Sequence, residues 1–148
     1  MIYFISLIVF LLDFFTKLWA LRGLIPHEPV SILPCFNLYL TFNRGVSFSM
    51  FSAQSAIGVW ALISLTGIIS VLIIYLIQNE KEKLSRIGLS MILGGAIGNL
   101  IDRIRFGSVV DFLDFYLGAH HWPAFNIADS AICIGVMFVL FQYMRRKK

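Results

Sequence analysis

Residues 125–144, FNIADSAICIGVMFVLFQYM, decide the fold class of this chain. The run is almost wholly apolar and has the length of about 20 residues that an α-helix needs to cross roughly 30 Å of hydrocarbon. One acid, Asp129, lies a single turn inside it, although a charged side chain in a membrane segment is costly. The stretch therefore predicts a transmembrane helix whose first turn serves some purpose besides crossing the membrane.

The composition of the whole chain is that of a membrane protein. Of its 148 residues, 59% are hydrophobic and only 14% are charged, and the mean hydropathy of +0.85 is high for a soluble domain. The charged residues leave four apolar segments of spanning length, at residues 2–21, 56–77, 87–104 and 126–144. We expect a single all-α polytopic domain over residues 1–148, with outer segments at about 22–55 and 105–125. The third apolar segment contains GGAIG, residues 94–98, whose small side chains favour close helix packing.

The distribution of Lys and Arg predicts the orientation. The loop QNEKEKLSR, residues 78–86, and the C-terminal RRKK hold seven of these residues, against five on the other side. Because positively charged loops tend to stay in the cytoplasm, both termini are predicted to be cytoplasmic. Topology also accounts for the net charge of +4, so no nucleic-acid partner is implied, and the basic tail is expected to lie near anionic membrane lipid.

The first outer segment has strand character rather than span character. Residues 30–32 and 36–42 are rich in β-branched and aromatic side chains, and the turn signal Asn43-Arg44-Gly45 follows them. These features predict a small extracytoplasmic β-sheet between helices 1 and 2. The second outer segment is short and aromatic and includes Trp122, a residue type that is enriched at headgroup level. Both outer segments are therefore expected to lie on the membrane face.

Five acids are expected on the outer side of the membrane protein, namely Asp13, Asp102, Asp111, Asp114 and Asp129. Asp13 and Lys17 stand at i and i+4, which favours an ion pair within one helix, with the Lys17 ammonium reaching outward to the headgroups. Asn99 and Arg103 have the same spacing around Asp102 at the outer end of the third segment. This second group is interpreted as one that ties elements together.

Asp111 and Asp129 suggest chemistry. Asp111 lies in the outer segment that follows the third span, and Asp129 lies one turn into the fourth, so neighbouring third and fourth helices would bring the two carboxyl groups together near the outer surface. Two close carboxylates share one proton, which is the resting state of an aspartic protease. A structural alternative is that Asn126 caps the fourth helix and Asp129 returns the capping hydrogen bond. Asp114 is a rival for the role of Asp111, and spacing does not choose between them.

Other chemistries have less support. No HExxH motif or Cys/His grouping indicates a metal site, and no organic cofactor is indicated. A serine-lysine pair of Ser47 with Lys17 is conceivable, but Lys17 has a nearer partner in Asp13. A proton or ion pathway would need ionisable groups at several depths, whereas these gather in the outer half and the second segment has none. A non-catalytic scaffold, in which Asp129 is only a cap, predicts that Asp129→Asn is nearly silent.

An ordered set of motifs resembles that of the bacterial lipoprotein signal peptidases, the type II signal peptidases. The motifs are DFFTK at residues 13–17, NRGVSF at 43–48, GGAIGNLIDR at 94–103, VVDF at 109–112 and PAFNIADS at 123–130. They cover nearly the whole chain, and the four apolar segments occur in the same order as in the family. Five motifs in register are far more specific than any one of them.

The resemblance implies an aspartic endopeptidase of the inner membrane. It would remove the signal peptide from diacylglyceryl-modified prolipoproteins, cutting just before the lipidated cysteine at the outer face, and we expect it to work as a monomer. By the same resemblance, Asp111 and Asp129 are the catalytic pair, which resolves the contest with Asp114. Positions that shape the site and hold substrate are Asn43, Gly45, Asn99, Arg103 and Asn126. Supporting positions are Asp13, Lys17 and Asp102.

Overall fold

A computed structural model describes residues 2–45 and 56–146. Ser47 lies outside the described residues, and with it the serine-lysine alternative and part of the NRGVSF motif. The helices in the described ranges are α1 (Ile2–Gly23), α2 (Ala56–Asn79), α3 (Lys83–Phe106) and α4 (Ile127–Arg146). Each is long and apolar enough to cross a membrane. The expectation of four spanning helices is confirmed, and the helices extend beyond the predicted bounds mainly through polar residues at their ends.

Helix α3 is the centre of the bundle and packs against the other three helices. Its glycines allow this close approach, as the GGAIG motif predicted. A Cβ atom at Gly94 would lie 2.6 Å from the Ser6 carbonyl of α1, and one at Gly95 would lie 2.5 Å from the Ala128 carbonyl of α4. A hydrogen bond also joins α1 and α3, since Ser6 Oγ donates to the Ser90 carbonyl at 2.8 Å. Small residues thus set the helix spacing.

An antiparallel four-stranded sheet lies at the end of the bundle where α1 and α3 end. Its strands, in spatial order, are β1 (Val30–Leu33), β2 (Phe36–Asn43), β3 (Val109–Leu117) and β4 (His120–His121). The two strands expected between helices 1 and 2 are confirmed. The sheet is larger than expected because the second outer segment supplies β3 and β4, and the sequence VVDFLDFYL of β3 has the β-branched and aromatic residues that strands favour.

A small apolar core fixes this sheet on the helix ends. Leu40 of β2 and Val110 and Phe112 of β3 pack with Ala20, near the end of α1, and all four are buried. In register, Asp111 of β3 lies opposite Thr41 of β2. The core therefore holds the strand that carries Asp111 directly above the helix bundle.

Candidate active site

Asp111 and Asp129 reach one polar cluster from different elements. Asp111 lies on β3, Asp129 lies in the first turn of α4, and Asn99 near the end of α3 contacts the group from below. Hydrogen-bonded amides join the two acids, since Asn126 Nδ2 lies 2.7 Å from Asp111 Oδ1 and 3.3 Å from Asn99 Oδ1, and Asn99 Nδ2 lies 2.8 Å from Asp129 Oδ1.

Asn126 and Asp129 form a reciprocal cap at the start of α4. The backbone N–H of Asp129 donates to Asn126 Oδ1 at 2.9 Å, and the backbone N–H of Asn126 donates to Asp129 Oδ2 at 3.2 Å. The predicted capping geometry is therefore confirmed. The other oxygen, Asp129 Oδ1, accepts a hydrogen bond from Asn99 Nδ2 at 2.8 Å. Each oxygen of Asp129 thus accepts a hydrogen bond from an N–H donor.

Asp111 has a different environment. Its side chain is buried, with 1% of the residue exposed, and Oδ1 accepts a hydrogen bond from Asn126 Nδ2 at 2.7 Å. Its Oδ2 is buried and has no hydrogen-bond partner among the described residues. Burial raises the pKa of Asp111 to about 7, against the opposing effect of the Asn43 and Asn126 amides, and the charge of Asp129 adds to the rise. Near neutral pH, Asp111 is thus the acid of this cluster that can hold a proton.

Asn126 connects the two carboxyl groups. Besides Asp111, its fully buried side-chain amide is 3.2 Å from the Val110 carbonyl and 3.3 Å from Asn99 Oδ1. The same residue caps α4 through Asp129. One side chain therefore links the strand that carries one acid with the helix that carries the other.

Lys17 is the centre of a second, deeper group. Its Nζ lies 2.7 Å from Asp13 Oδ2, 2.9 Å from Asp102 Oδ2 and 3.0 Å from Asn99 Oδ1. The pairing with Asp13 is confirmed, but the expectation that the ammonium reaches outward to the headgroups is wrong, since only 3% of Lys17 is exposed. The ammonium stays inside because three acceptors match its three N–H donors and offset the loss of water.

Asp13 and Asp102 each bind a backbone N–H next to one of the two outer acids. Asp102 Oδ2 accepts from the N–H of Val110, which precedes Asp111, at 3.0 Å. Asp13 Oδ1 accepts from the N–H of Ala128, which precedes Asp129, at 2.9 Å. No local spacing in the sequence pointed to these two contacts, because they join residues that are distant along the chain or lie across a helix–strand junction.

The remaining predicted positions border the cluster. Arg103 Nη1 donates to the Asn99 carbonyl at 3.2 Å, in line with its i+4 spacing. Asn43 ends β2, and its Oδ1 accepts from the Gly45 N–H at 2.9 Å. Gly45 has a φ of 66°, which glycine adopts without strain.

Asp114 has its own partners. Its carboxylate accepts a hydrogen bond from Asn37 Nδ2 at 3.0 Å and lies 2.9 Å from His121 Nδ1. Because side chains alternate along a strand, a residue three positions from Asp111 points to the other face of β3. Asp114 therefore contributes to the hydrogen bonding of the sheet. Within residues 2–45 and 56–146, no group of three His, Cys, Asp or Glu side chains could hold a metal ion.

The family model and the curated relatives that match this chain belong to the same protein family. A family model described as Signal peptidase (SPase) II matches residues 5–145. A lipoprotein signal peptidase from Paraburkholderia phymatum is 43% identical over 143 residues, which are 96% of this chain and 86% of that protein. One from Burkholderia thailandensis is 42% identical with the same coverage. A solved bacterial membrane enzyme structure aligns over 98% of this chain and 88% of its own, with a TM-score of 0.86 and 26% identity.

Proposed function

This chain belongs to the signal peptidase II family, and from that premise we propose that it is an aspartic endopeptidase that removes signal peptides from prolipoproteins. Asp111 and Asp129 are the catalytic pair. The observation that carries the proposal is the contrast between the two carboxyl groups. Asp111 is buried with one oxygen unpartnered among the described residues, whereas Asp129 receives an N–H donor on each oxygen.

We assign the proton of the resting enzyme to Asp111, because burial raises its pKa to about 7 and its Oδ2 has no hydrogen-bond partner among the described residues. We assign the role of general base to Asp129, whose two oxygens each accept an N–H hydrogen bond at the N-terminus of α4. The pair thus provides one general base and one general acid at the same site.

Hydrolysis follows from this proton distribution. Asp129 accepts a proton from a water molecule as the water oxygen attacks the scissile carbonyl carbon, and Asp111 donates its proton to the carbonyl oxygen. The resulting gem-diol collapses when Asp129 protonates the amide nitrogen and the C–N bond breaks. Asp111 recovers a proton from a diol hydroxyl. The products are a carboxylic acid and an amine, and the enzyme returns to its starting state.

The buried Oδ2 of Asp111 is the atom suited to donate this proton. Oδ1 is already fixed by Asn126 at 2.7 Å, so a proton on Oδ2 would point toward a substrate oxygen. An unpartnered polar atom in a buried place is costly in the free enzyme. Substrate binding would supply its missing partner, and the hydrogen bond would be made where charge develops during the reaction.

The neighbouring amides shape this site. We assign Asn99 and Asn126 to holding the two carboxylates, since both are buried and bonded to them. Asn43, Gly45 and Arg103 border the cluster and are the groups assigned to substrate contact, and the Asn43 amide also acts on the Asp111 carboxyl. Asn43 and Arg103 are less buried than Asn99 and Asn126, and their amide and guanidinium donors suit peptide carbonyl groups.

Asp13, Lys17 and Asp102 act as positioning residues. Each acid binds the backbone N–H that precedes one catalytic aspartate, and Lys17 joins the two acids within 2.9 Å. The group therefore sets the separation of β3 and α4 at the place where the catalytic carboxyls project. A shift of about 1 Å in such a distance can cost on the order of 100-fold in rate.

The location fits a lipid-modified substrate. In our proposal the sheet lies on the membrane face, so Asp129, in the first turn of α4, is at headgroup depth. A signal helix lies in the bilayer with its lipidated cysteine at the outer interface, so the bond just before that cysteine reaches the same depth. With the basic α2–α3 loop and C-terminus cytoplasmic, the site opens at the outer face of the inner membrane.

We propose that the single domain acts as a monomer.

The purified full chain in detergent tests this function. It should cleave a diacylglyceryl-modified prolipoprotein and leave the same protein with an unmodified cysteine uncut. Mass spectrometry of the product should find the lipidated cysteine as its first residue. Cleavage at another bond, or equal cleavage of both substrates, would contradict the proposed specificity, and no cleavage of either would contradict the peptidase function.

A further inference from the structure

The end of the bundle opposite the sheet carries a polar cleft. Helix α2 ends there, α3 begins there and α4 ends there, so Arg146 of α4 reaches Glu80 and Glu82 at 3.1 and 3.5 Å. The cleft has a volume of about 480 Å³ and is lined by Glu82, Lys83, Leu84, Gln142, Arg145 and Arg146. The cleft therefore combines basic side chains from α3 and α4 at the end of the bundle opposite the sheet.

An apolar groove adjoins this cleft. The groove has a volume of about 600 Å³, and its lining side chains are Leu84, Met137, Phe138, Leu140, Phe141 and Met144. Leu84 lines both the cleft and the groove, so the two adjoin at this residue. Because α4 ends at Arg146, the groove lies along its last turns, at the depth of the acyl chains in the adjacent leaflet.

The cleft retains positive charge that the protein does not neutralise. Arg146 is engaged by Glu80 and Glu82, and Glu82 also accepts a hydrogen bond from Gln142 Nε2 at 3.1 Å. Lys83 and Arg145 are exposed and form no ion pair within the described part of the chain. Two cations without an ion-pair partner in that part of the chain thus line the cleft that adjoins the apolar groove.

We propose that the cleft and groove together bind one anionic phospholipid. Its phosphate pairs with Lys83 and Arg145, and one acyl chain lies along the groove from Leu84 toward Met137. The basic cleft fits the headgroup and the adjoining apolar groove fits the acyl chain, since basic pockets between helix ends select anionic headgroups at membrane surfaces. The site lies at the opposite end of the bundle from Asp111 and does not depend on the proposed peptidase chemistry.

Native mass spectrometry of the full chain tests the proposal. The detergent-solubilised protein is given equal amounts of dioleoylphosphatidylglycerol and dioleoylphosphatidylcholine, and the ratio of retained adducts is measured. We expect the phosphatidylglycerol adduct to dominate. Lys83→Gln and Arg145→Gln should each reduce the preference about fivefold, which corresponds to about 1 kcal/mol for each charge near the membrane surface. Leu84→Trp should reduce retention of both lipids by filling the junction.

Two matched variants serve as controls. Lys81→Gln removes a charge at the same end of the bundle but outside the cleft. Arg22→Gln removes a charge in the last turn of α1, at the sheet end of the bundle. Both variants should keep the wild-type preference for phosphatidylglycerol. Equal retention of the two lipids by the wild type, or an equal loss in all four charge variants, would overturn the proposal in favour of non-selective lipid contact or diffuse surface charge. Displacement of the lipid by glycerol 3-phosphate at equal concentration would overturn the acyl-chain contribution.

Discussion

Asn126 Nδ2 lies 2.7 Å from Asp111 Oδ1 while the same residue caps the helix that carries Asp129. This contact makes the position of one acid depend on the other. A helix cap alone would need only an oxygen on the side chain, whereas the contact with Asp111 needs an amide donor. The side chain of residue 126 therefore has two functions, helix capping and hydrogen bonding to Asp111, and a substitution can remove one and keep the other.

The substitution Asn126→Ser separates those demands. Both variants lose the buried amide contacts, but serine keeps a good helix cap, so Asn126→Ala should be about 1 kcal/mol less stable than Asn126→Ser through the missing cap. Both variants remove the amide that fixes Asp111 and should lower kcat by about 100-fold or more. Thermal unfolding and the rate of prolipoprotein cleavage measure the two effects. Full activity in Asn126→Ser would show that the amide contact has no catalytic role.

The pH dependence of cleavage should report the proton on Asp111. As pH rises through about 7, Asp111 loses the proton that it donates to the carbonyl oxygen, so kcat/KM should fall on the basic side. The measurement is kcat/KM across pH 4–9 in one detergent. Asp114→Asn is the control and should keep the same basic limb; an unchanged rate up to pH 9 would contradict the assignment of the acid.

The same carboxyl should make stability depend on pH. The folded-state pKa of Asp111 is raised from 3.8 to about 7, so the unfolded chain releases this proton first and wild-type stability falls as pH rises between these values. Asp111→Asn has no such proton. We expect this variant to be more stable than wild type at pH 8, by an amount on the order of a few kcal/mol, and to lose that advantage near pH 4. Thermal unfolding at both pH values checks this, and a pH-independent difference would contradict it.

Removing Lys17 should destabilise the bundle strongly. Lys17→Met leaves Asp13 and Asp102 buried without their counter-ion, which typically costs about 3–5 kcal/mol. Asp13→Asn in the same chain removes one unpaired charge and should restore part of the stability. Thermal unfolding of the single and double variants measures this.

A positioning role also requires a kinetic effect. Asp102→Asn keeps an oxygen that can accept from Val110 N–H but weakens the link to Lys17. We expect kcat to fall while KM changes little, because the catalytic carboxyls shift and the substrate contacts remain. Arg22→Gln is the matched surface control and should leave both constants unchanged. A change in unfolding temperature without any change in kcat would reduce the role of Asp102 to stability alone.

Local patterns in the sequence predicted what depends on neighbours along the chain. Apolar runs gave the four helices, GGAIG gave the close packing of α3, and the spacing of Asn126 and Asp129 gave the cap. Strand β3 was missed because a short aromatic segment between two spans was interpreted only as membrane-surface chain.

Contacts between distant residues were less accessible. The bond from Ala128 N–H to Asp13 joins the first and last helices, and no periodicity relates such residues. Lys17 was expected to reach the headgroups because long basic side chains in membrane helices often extend toward the interface. Asp102 and Asn99 provide the additional acceptors, and only the packing of α1 against α3 brings them within 3.0 Å. The inward direction of Lys17 is thus a tertiary property.

Cleavage of a diacylglyceryl-modified prolipoprotein by three asparagine variants tests the central claim most directly. Asparagine keeps the size and polarity of the side chain and removes its acid-base chemistry. Asp111→Asn and Asp129→Asn should each lower the rate by about 10²–10⁴-fold, while Asp114→Asn, whose carboxylate is bonded to Asn37 and His121, should retain most activity. Wild-type rates in Asp111→Asn or Asp129→Asn, with folding verified by thermal unfolding, would contradict the two-aspartate mechanism.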